Sequence, residues 1–109
     1  MLDPRLIVSI VRKGWGDSVL EATMQAGAHG GTVLCGRGIG RNEQQRVFGI
    51  QIEPEKEVVL SVVPATIATA VLAAAVRAAE LTVPGHGLAF VVALEQVAGI
   101  AHLVEPAAS

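Results

Sequence analysis

Two strand–helix–strand units follow one another along this chain, and that order leaves few folds open. Arg5–Val11 (RLIVSIV) is rich in Ile and Val and stops at Lys13-Gly14, so it reads as a strand buried on both faces. Trp15-Gly16-Asp17 leads into a helix that runs to Ala26. Ser18 and Glu21 have capping-box spacing, in which the hydroxyl takes one free N–H and the carboxylate reaches back to another. Asp17 adds negative charge at the positive end of the helix dipole. Leu20 and Met24 share one helix face with Val19 and Thr23 beside them and read as core, while Glu21 and Gln25 point outward. Gly27 is a natural stop. Gly30-Gly31 then opens a second strand, Thr32–Ile39 (TVLCGRGI), in which Cys35 reads as a buried strand cysteine.

The second unit repeats the plan. Glu57–Val63 (EVVLSVV) is its first strand. Pro64 opens a helix over Ala65–Glu80, where a first-turn proline costs no hydrogen bond. A turn at Val83-Pro84-Gly85-His86-Gly87 precedes the strand Leu88–Leu94 (LAFVVAL). The tail Glu95–Leu103 can add a short edge strand, and residues 105–109 fray. The expected fold is therefore α+β: a ferredoxin-like βαββαβ sandwich with one antiparallel sheet and two helices on one face. Residues 1–109 form one domain.

Composition bears on what covers that sheet. Hydrophobic residues make up 51% of the chain and charged residues 17%, which is more apolar surface than a lone small domain buries easily. The strands alternate little, so the sheet face away from the helices is apolar and bare. The helix at 65–80 is apolar nearly all round. Both features call for other copies of the chain, and a closed trimer with three sheets facing a common axis supplies them.

Between the two units lies Arg41–Lys56 (RNEQQRVFGIQIEPEK), with neither a helix period nor clean strand alternation. A loop of this length inside a compact domain is a working loop or disordered, and loops on a rigid scaffold often carry function. Its apolar middle, Phe48-Gly49-Ile50, together with Gln45, is the expected partner contact. Glu53, Glu55 and Lys56 read as a solvated mixed-charge cluster at its end.

Several function classes are excluded by the same residues. A net charge of −2 and three aromatic side chains, Trp15, Phe48 and Phe90, argue against nucleic acid as a partner. The single cysteine allows no intrachain disulfide and fits a reducing compartment. The N-terminus is not a signal peptide, and no stretch approaches the ~20 apolar residues of a membrane span. A soluble cytoplasmic protein without membrane insertion is expected. No catalytic triad, Cys–His pair or carboxylate pair is visible, so no catalytic residue is assigned and no enzyme is expected. His29, His86 and His102 lack ligand spacing, so no metal site is assigned.

Gly27–Arg41, GAHGGTVLCGRGIGR, resembles the P-II nitrogen-regulatory signalling proteins, whose second strand commonly runs G-x-x-G-x-T-x-x-x-x-(K/R)-G-x-G-R. Gly27, Gly30, Thr32, Arg37, Gly38, Gly40 and Arg41 match. The likeness continues through Lys56, the strand ending Val62-Val63-Pro64, the helix ending at Arg77 and the Gly-x-Gly turn before Phe90. The resemblance implies a homotrimer of the ferredoxin-like fold that binds ATP or ADP between subunits. It also implies a long effector loop at 41–56, the T-loop, docking on a target protein such as a membrane transporter, an enzyme or a regulator. Carried over by position, the effector pocket would use Thr32, Gly38, Ile39, Gly40, Arg41, Lys56, Gly85, His86 and Gly87.

Departures from the pattern shape the expectation. Relatives usually carry Gly-Asp-Gly-Lys where this chain has Gly85-His86-Gly87-Leu88, and two arginines where it has Gly99 and Ala101. Three cations are thus missing where a triphosphate is normally held. Arg41, Lys56, His86 and His102 are the basic residues left, which suits AMP, cyclic AMP or no nucleotide at all at least as well as ATP or ADP. No Ser, Thr or Tyr lies between Arg41 and Lys56, so the loop modifications of some relatives have no acceptor here. Two other readings stay open: a ferredoxin-like trimeric metal-binding protein of the divalent-cation-tolerance type, and a stand-alone regulatory domain of an enzyme.

Overall fold

The structure, a computed structural model, describes residues 3–40, 45–52 and 54–99. Its elements are β1 (Pro4–Arg12), α1 (Gly16–Gln25), β2 (Thr32–Arg37), β3 (Gln45–Val47), β4 (Ile50–Ile52), β5 (Glu55–Pro64), α2 (Ala65–Ala78) and β6 (Gly87–Ala93). The main sheet is antiparallel with strand order β2-β5-β1-β6, the ferredoxin-like arrangement the tandem units predict. The edge strand expected in the tail is not formed by the described residues Glu95–Gly99.

Strand parity organises the core. Odd-numbered Ile7 and Val11 on β1, and Val59 and Val63 on β5, point under the helices. They meet Val19 of α1 and Ala68, Val71 and Ala75 of α2, whose small alanines let the helix lie close. Ser9 and Ser61 share this buried face, and neither hydroxyl has a partner among the described residues.

The even-numbered residues form the opposite face. Across the sheet they make an apolar grid, with Leu34, Val58, Ile10 and Leu88 in one row. Thr32, Leu60, Val8 and Phe90 form the next, and Val62, Leu6 and Val92 the third. Leu34 is 48% exposed, Leu88 53% and Phe90 39%. Within one chain the open face is covered only at its centre, where Val8 is buried, so the two-faced burial read for the first strand holds at its middle and not at the outer positions of the grid.

Helix α1 begins at Gly16, and the predicted capping box does not form. Its N-cap is Trp15, with no side-chain cap bond, and Ser18 sits exposed inside the first turn. Glu57 of β5 serves instead: its Oε1 accepts from Gly14 N–H at 3.0 Å and Gly16 N–H at 2.7 Å. A carboxylate acceptor makes the stronger, charge-assisted bond and offsets the helix dipole. The buried line of α1 is Gly16, Val19 and Thr23, so Met24 falls to one side and is 46% exposed rather than core.

Gly27, at φ +122°, closes α1 as expected, with Gly27 N–H donating to Met24 O and Ala28 N–H to Thr23 O. Helix α2 ends the same way without a glycine. Glu80 takes φ +52°, donating to Arg77 O, while Leu81 N–H donates to Val76 O. The helix therefore stops before Glu80, not at it. Pro64 is the extended N-cap of α2 rather than part of its first turn.

The stretch read as a structureless loop contains a hairpin. Val47 pairs with Ile50 across Phe48-Gly49, both at positive φ (52° and 80°), as a two-residue type I′ turn requires. Alternation was not legible because Phe48 stands where such turns favour Asn, Asp or Gly. Cys35 is exposed, not buried. It lies on edge strand β2 opposite Glu57, and α1 begins only over Val33 and Glu57.

Candidate functional site

The sheet register brings one end of four strands together. Gly36 stands opposite Lys56, Lys56 opposite Arg12, and Gly87 opposite Val11. Lys56 and His86, distant in sequence, thus flank the end of β1. Lys56 is only 7% exposed, which corrects its place in a solvated charge cluster. It packs beneath Gly38, where an added Cβ would lie 3.8 Å from its Cγ. Glu55 turns away to pair with Lys13 at 2.6 Å. That bond, then the charge behind it, raises the Lys13 amine and lowers the Glu55 carboxyl from their ordinary values. Glu53 lies outside the described residues.

Gly38 N–H donates to Pro54 O at 3.2 Å, and this bond closes the base of the excursion that carries the β3–β4 hairpin. Lys13, Cys35, Gly36, Arg37, Glu55 and Lys56 line an open cleft of ≈ 400 Å³ beside it. Gly40 and Ile39 follow Gly38, half-buried; Arg41 lies outside the described residues. At the hairpin tip Phe48 is 100% exposed and Ile50 69%. Gln45 starts β3 and Gly49 completes the turn.

On the other side of Arg12 is the Gly85-His86-Gly87 turn. Gly87 has φ +127°, and a Cβ there would meet Ile10 O at 2.1 Å, so the backbone approach itself demands glycine. Arg12 Nη2 lies 3.3 Å from His86 Nδ1, and its Cζ 4.3 Å from the Trp15 ring centroid. Arg12 and Trp15 were not among the sequence-predicted site residues. Only strand register reveals them, because Arg12 becomes a neighbour of His86 through pairing of β1 with β6.

Thr32 is not gathered with this group. It pairs with Leu60, four residues along β2 from Gly36 and about 13 Å away. Gly99 lies in the irregular segment after β6, and Ala101 and His102 lie outside the described residues. His29 is exposed before β2. Among the described residues no group of three or more His, Cys, Asp or Glu is placed to hold a metal ion. No helix of the described residues is long and apolar enough to cross a membrane.

The strand order, the glycines at the same end of both edge strands and the hairpin between β2 and β5 accord with one known family. The family model for nitrogen regulatory protein P-II matches residues 5–102. The chain belongs to the P-II family. Like its relatives, this P-II protein is a regulatory signalling protein, from a family of oligomers that act on target proteins and are not enzymes. Comparison with curated proteins finds no significant match.

Proposed function

We propose that this P-II protein works in the cytoplasm as a homotrimer. A small anionic effector binds at the cationic end of its sheet, and the state of that site passes to the β3–β4 hairpin, which engages a target protein. The main support is that the hairpin base and the cationic end coincide: the Gly38–Pro54 bond closes the excursion directly above buried Lys56. An anion drawn to Lys56 competes for the glycine-rich backbone at Gly38-Ile39-Gly40, where N–H groups can approach oxygens closely. A ligand favouring one arrangement of that base shifts the hairpin population accordingly.

Lys56, Arg12 and Arg41, with the polar His86 beside them, are fewer cations than a triphosphate normally meets, because Leu88, Gly99 and Ala101 replace three of them. AMP or cyclic AMP suits this inventory best, with ATP and ADP as competitors. Gly85 and Gly87 complete the proposed pocket, and Thr32, about 13 Å along β2 from Gly36, could be reached only by the far end of an extended ligand. Three apolar rows on the open sheet face are the surface the trimer would bury. Phe48 and Ile50 are the proposed anchor of the target, such as a transporter at the membrane.

Calorimetry of the purified protein with ATP, ADP, AMP and cyclic AMP tests the effector. Binding of one or more is expected, and silence with all four refutes a nucleotide effector. Light scattering tests assembly, a single 11.2 kDa protomer being the result that refutes it. Phe48→Ala should weaken target binding by roughly 30-fold or more, as loss of an aromatic anchor does, with the trimer intact. Loss of the trimer would assign the hairpin a structural role instead.

A further inference from the structure

Arg12 ends β1 with its guanidinium engaged on two sides. Nη2 contacts His86 Nδ1 at 3.3 Å, and the plane lies over Trp15 at 4.3 Å. The Trp15 and His86 rings are 6.3 Å apart, tilted by 41°. Arginine has donors only, so Nη2–H donates and Nδ1 accepts; His86 then carries its proton on Nε2. Arg12 Nε is buried with no partner among the described residues, so little else holds the guanidinium in place.

The turn that His86 belongs to is unevenly held. Gly87 is pinned against Ile10 O, whereas nothing lies within 4 Å of the Cβ position of Gly85. Inside the turn, His86 N–H donates to Val83 O at 3.2 Å. The His86 ring is the contact that ties the tip of the turn to the start of α1.

We propose that Arg12, seated on Trp15, is the positioning residue of the Gly85–Gly87 turn, and that protonation of His86 releases the turn. A protonated imidazole has an N–H on both nitrogens, so the acceptor facing Arg12 disappears. Two cations would then stand 3.3 Å apart. Other charged groups nearby do not offset this. Lys56, opposite Arg12 on β5, has the same sign. Lys13 is turned to Glu55, and Glu57 to the Gly14 and Gly16 amides. The end of α2 contributes the Glu80 carbonyl, which accepts from Val83 N–H. The contact therefore belongs to the neutral imidazole and is lost on protonation. The latch stands on these contacts alone; if the effector reading also holds, acid loosens the effector site.

The test is NMR of the full chain from about pH 8 down to pH 5, the range in which imidazoles titrate. Trp15 is the single tryptophan, so its ring is an unambiguous reporter. In the wild type, the NOE between the Trp15 and His86 rings should vanish towards acid, and the heteronuclear NOE of the Gly85 amide should fall with it. In His86→Gln, whose side-chain oxygen can accept from Arg12 without titrating, Gly85 should stay ordered throughout; His86→Asn serves if that variant does not fold. In Arg12→Gln, the order of the Gly85 amide should no longer depend on pH. An unchanged Gly85 in the wild type overturns the latch, as does an equal loss of order in the glutamine or asparagine variant.

Discussion

Replacing Glu57 by Ala removes the acceptor at the head of α1, and the structure sets the scale of the loss. Glu57 Oε1 takes Gly16 N–H at 2.7 Å and Gly14 N–H at 3.0 Å. Hydrogen bonds to a charged group contribute about 1.5–3 kcal/mol each. Gly14 is exposed and its amide regains water, so its share is small. Gly16 is buried, and its orphaned amide costs about 1–3 kcal/mol. The expected net loss is about 2–3 kcal/mol. Glu57→Gln retains an acceptor oxygen and loses only the charge, which should cost about 1 kcal/mol. Ser18→Ala is the control, expected within about 0.5 kcal/mol of wild type because Ser18 makes no cap bond. Urea unfolding reads all three, compared at one protomer concentration because assembly makes the midpoint concentration-dependent. With a slope of about 1–3 kcal/mol/M, Glu57→Ala should lower the midpoint by roughly 0.7–3 M. A Glu57→Ala protein within about 0.5 kcal/mol of wild type refutes the reasoning. So does a Ser18→Ala loss exceeding that of Glu57→Ala, which would mean the helix is capped as its local spacing suggests.

Three further predictions follow from single residues. Gly87→Ala places a Cβ against Ile10 O at φ +127° and should cost at least about 3 kcal/mol, with protection of β1–β6 amides lost first in hydrogen exchange; a loss under about 1 kcal/mol would contradict the close approach. Glu80→Gly relieves a non-glycine residue at φ +52° in the α2 terminus and should raise stability by about 0.5–1 kcal/mol in thermal unfolding; a destabilised variant would show that the Glu80 side chain matters more than its backbone. The Lys13–Glu55 pair has its own pH signature. The lowered Glu55 carboxyl contributes above the ordinary carboxylate range and loses this as pH falls through its folded value, while the raised Lys13 amine contributes until pH rises through its folded value. The stability gap between wild type and Lys13→Met should therefore be small and flat at mid pH and close in strong acid and strong alkali; a gap that persists in acid would have another origin.

The fold was legible because hydrophobic runs and punctuation agree: Gly14, Gly27, Pro64 and Gly85 fall where elements change, and the βαβ order then fixes the sheet. Local pattern failed where a distant group took over. Ser18 and Glu21 have the spacing of a cap, yet Glu57 is 41 positions from Gly16 and makes a stronger one. Pattern alone carries α2 on to Glu80, because Glu80 adopts the conformation usually left to glycine. The hairpin carries no turn signal for a related reason, since Phe48 occupies a turn position that favours small polar residues. Of the site, the glycines and Lys56 could be read from motif order. Arg12 could not, because its neighbours His86 and Lys56 are set by strand register.

Register also decides what kind of site this end of the sheet can be. Lys56 continues the even-numbered row of Val58, Leu60 and Val62, so it belongs to the open face and not to the helix side. That face is apolar along β1, β5 and β6 until it reaches Arg12 and Lys56, and there the grid ends in cations and glycines. A copy of the chain packed on the apolar rows would stop at this rim, because beyond it no apolar surface of the grid remains to bury. The rim would then line a crevice between copies, half its wall supplied by each. An anion bound there would neutralise the rim of one chain, touch the next, and sit under the Gly38–Pro54 bond of the hairpin. Assembly, effector and hairpin would be coupled through the same few residues, and a variant that keeps the trimer but removes the Lys56 charge should uncouple the hairpin from the ligand. Lys56→Met trimers whose hairpin resonances still respond to effector would show that the coupling runs elsewhere.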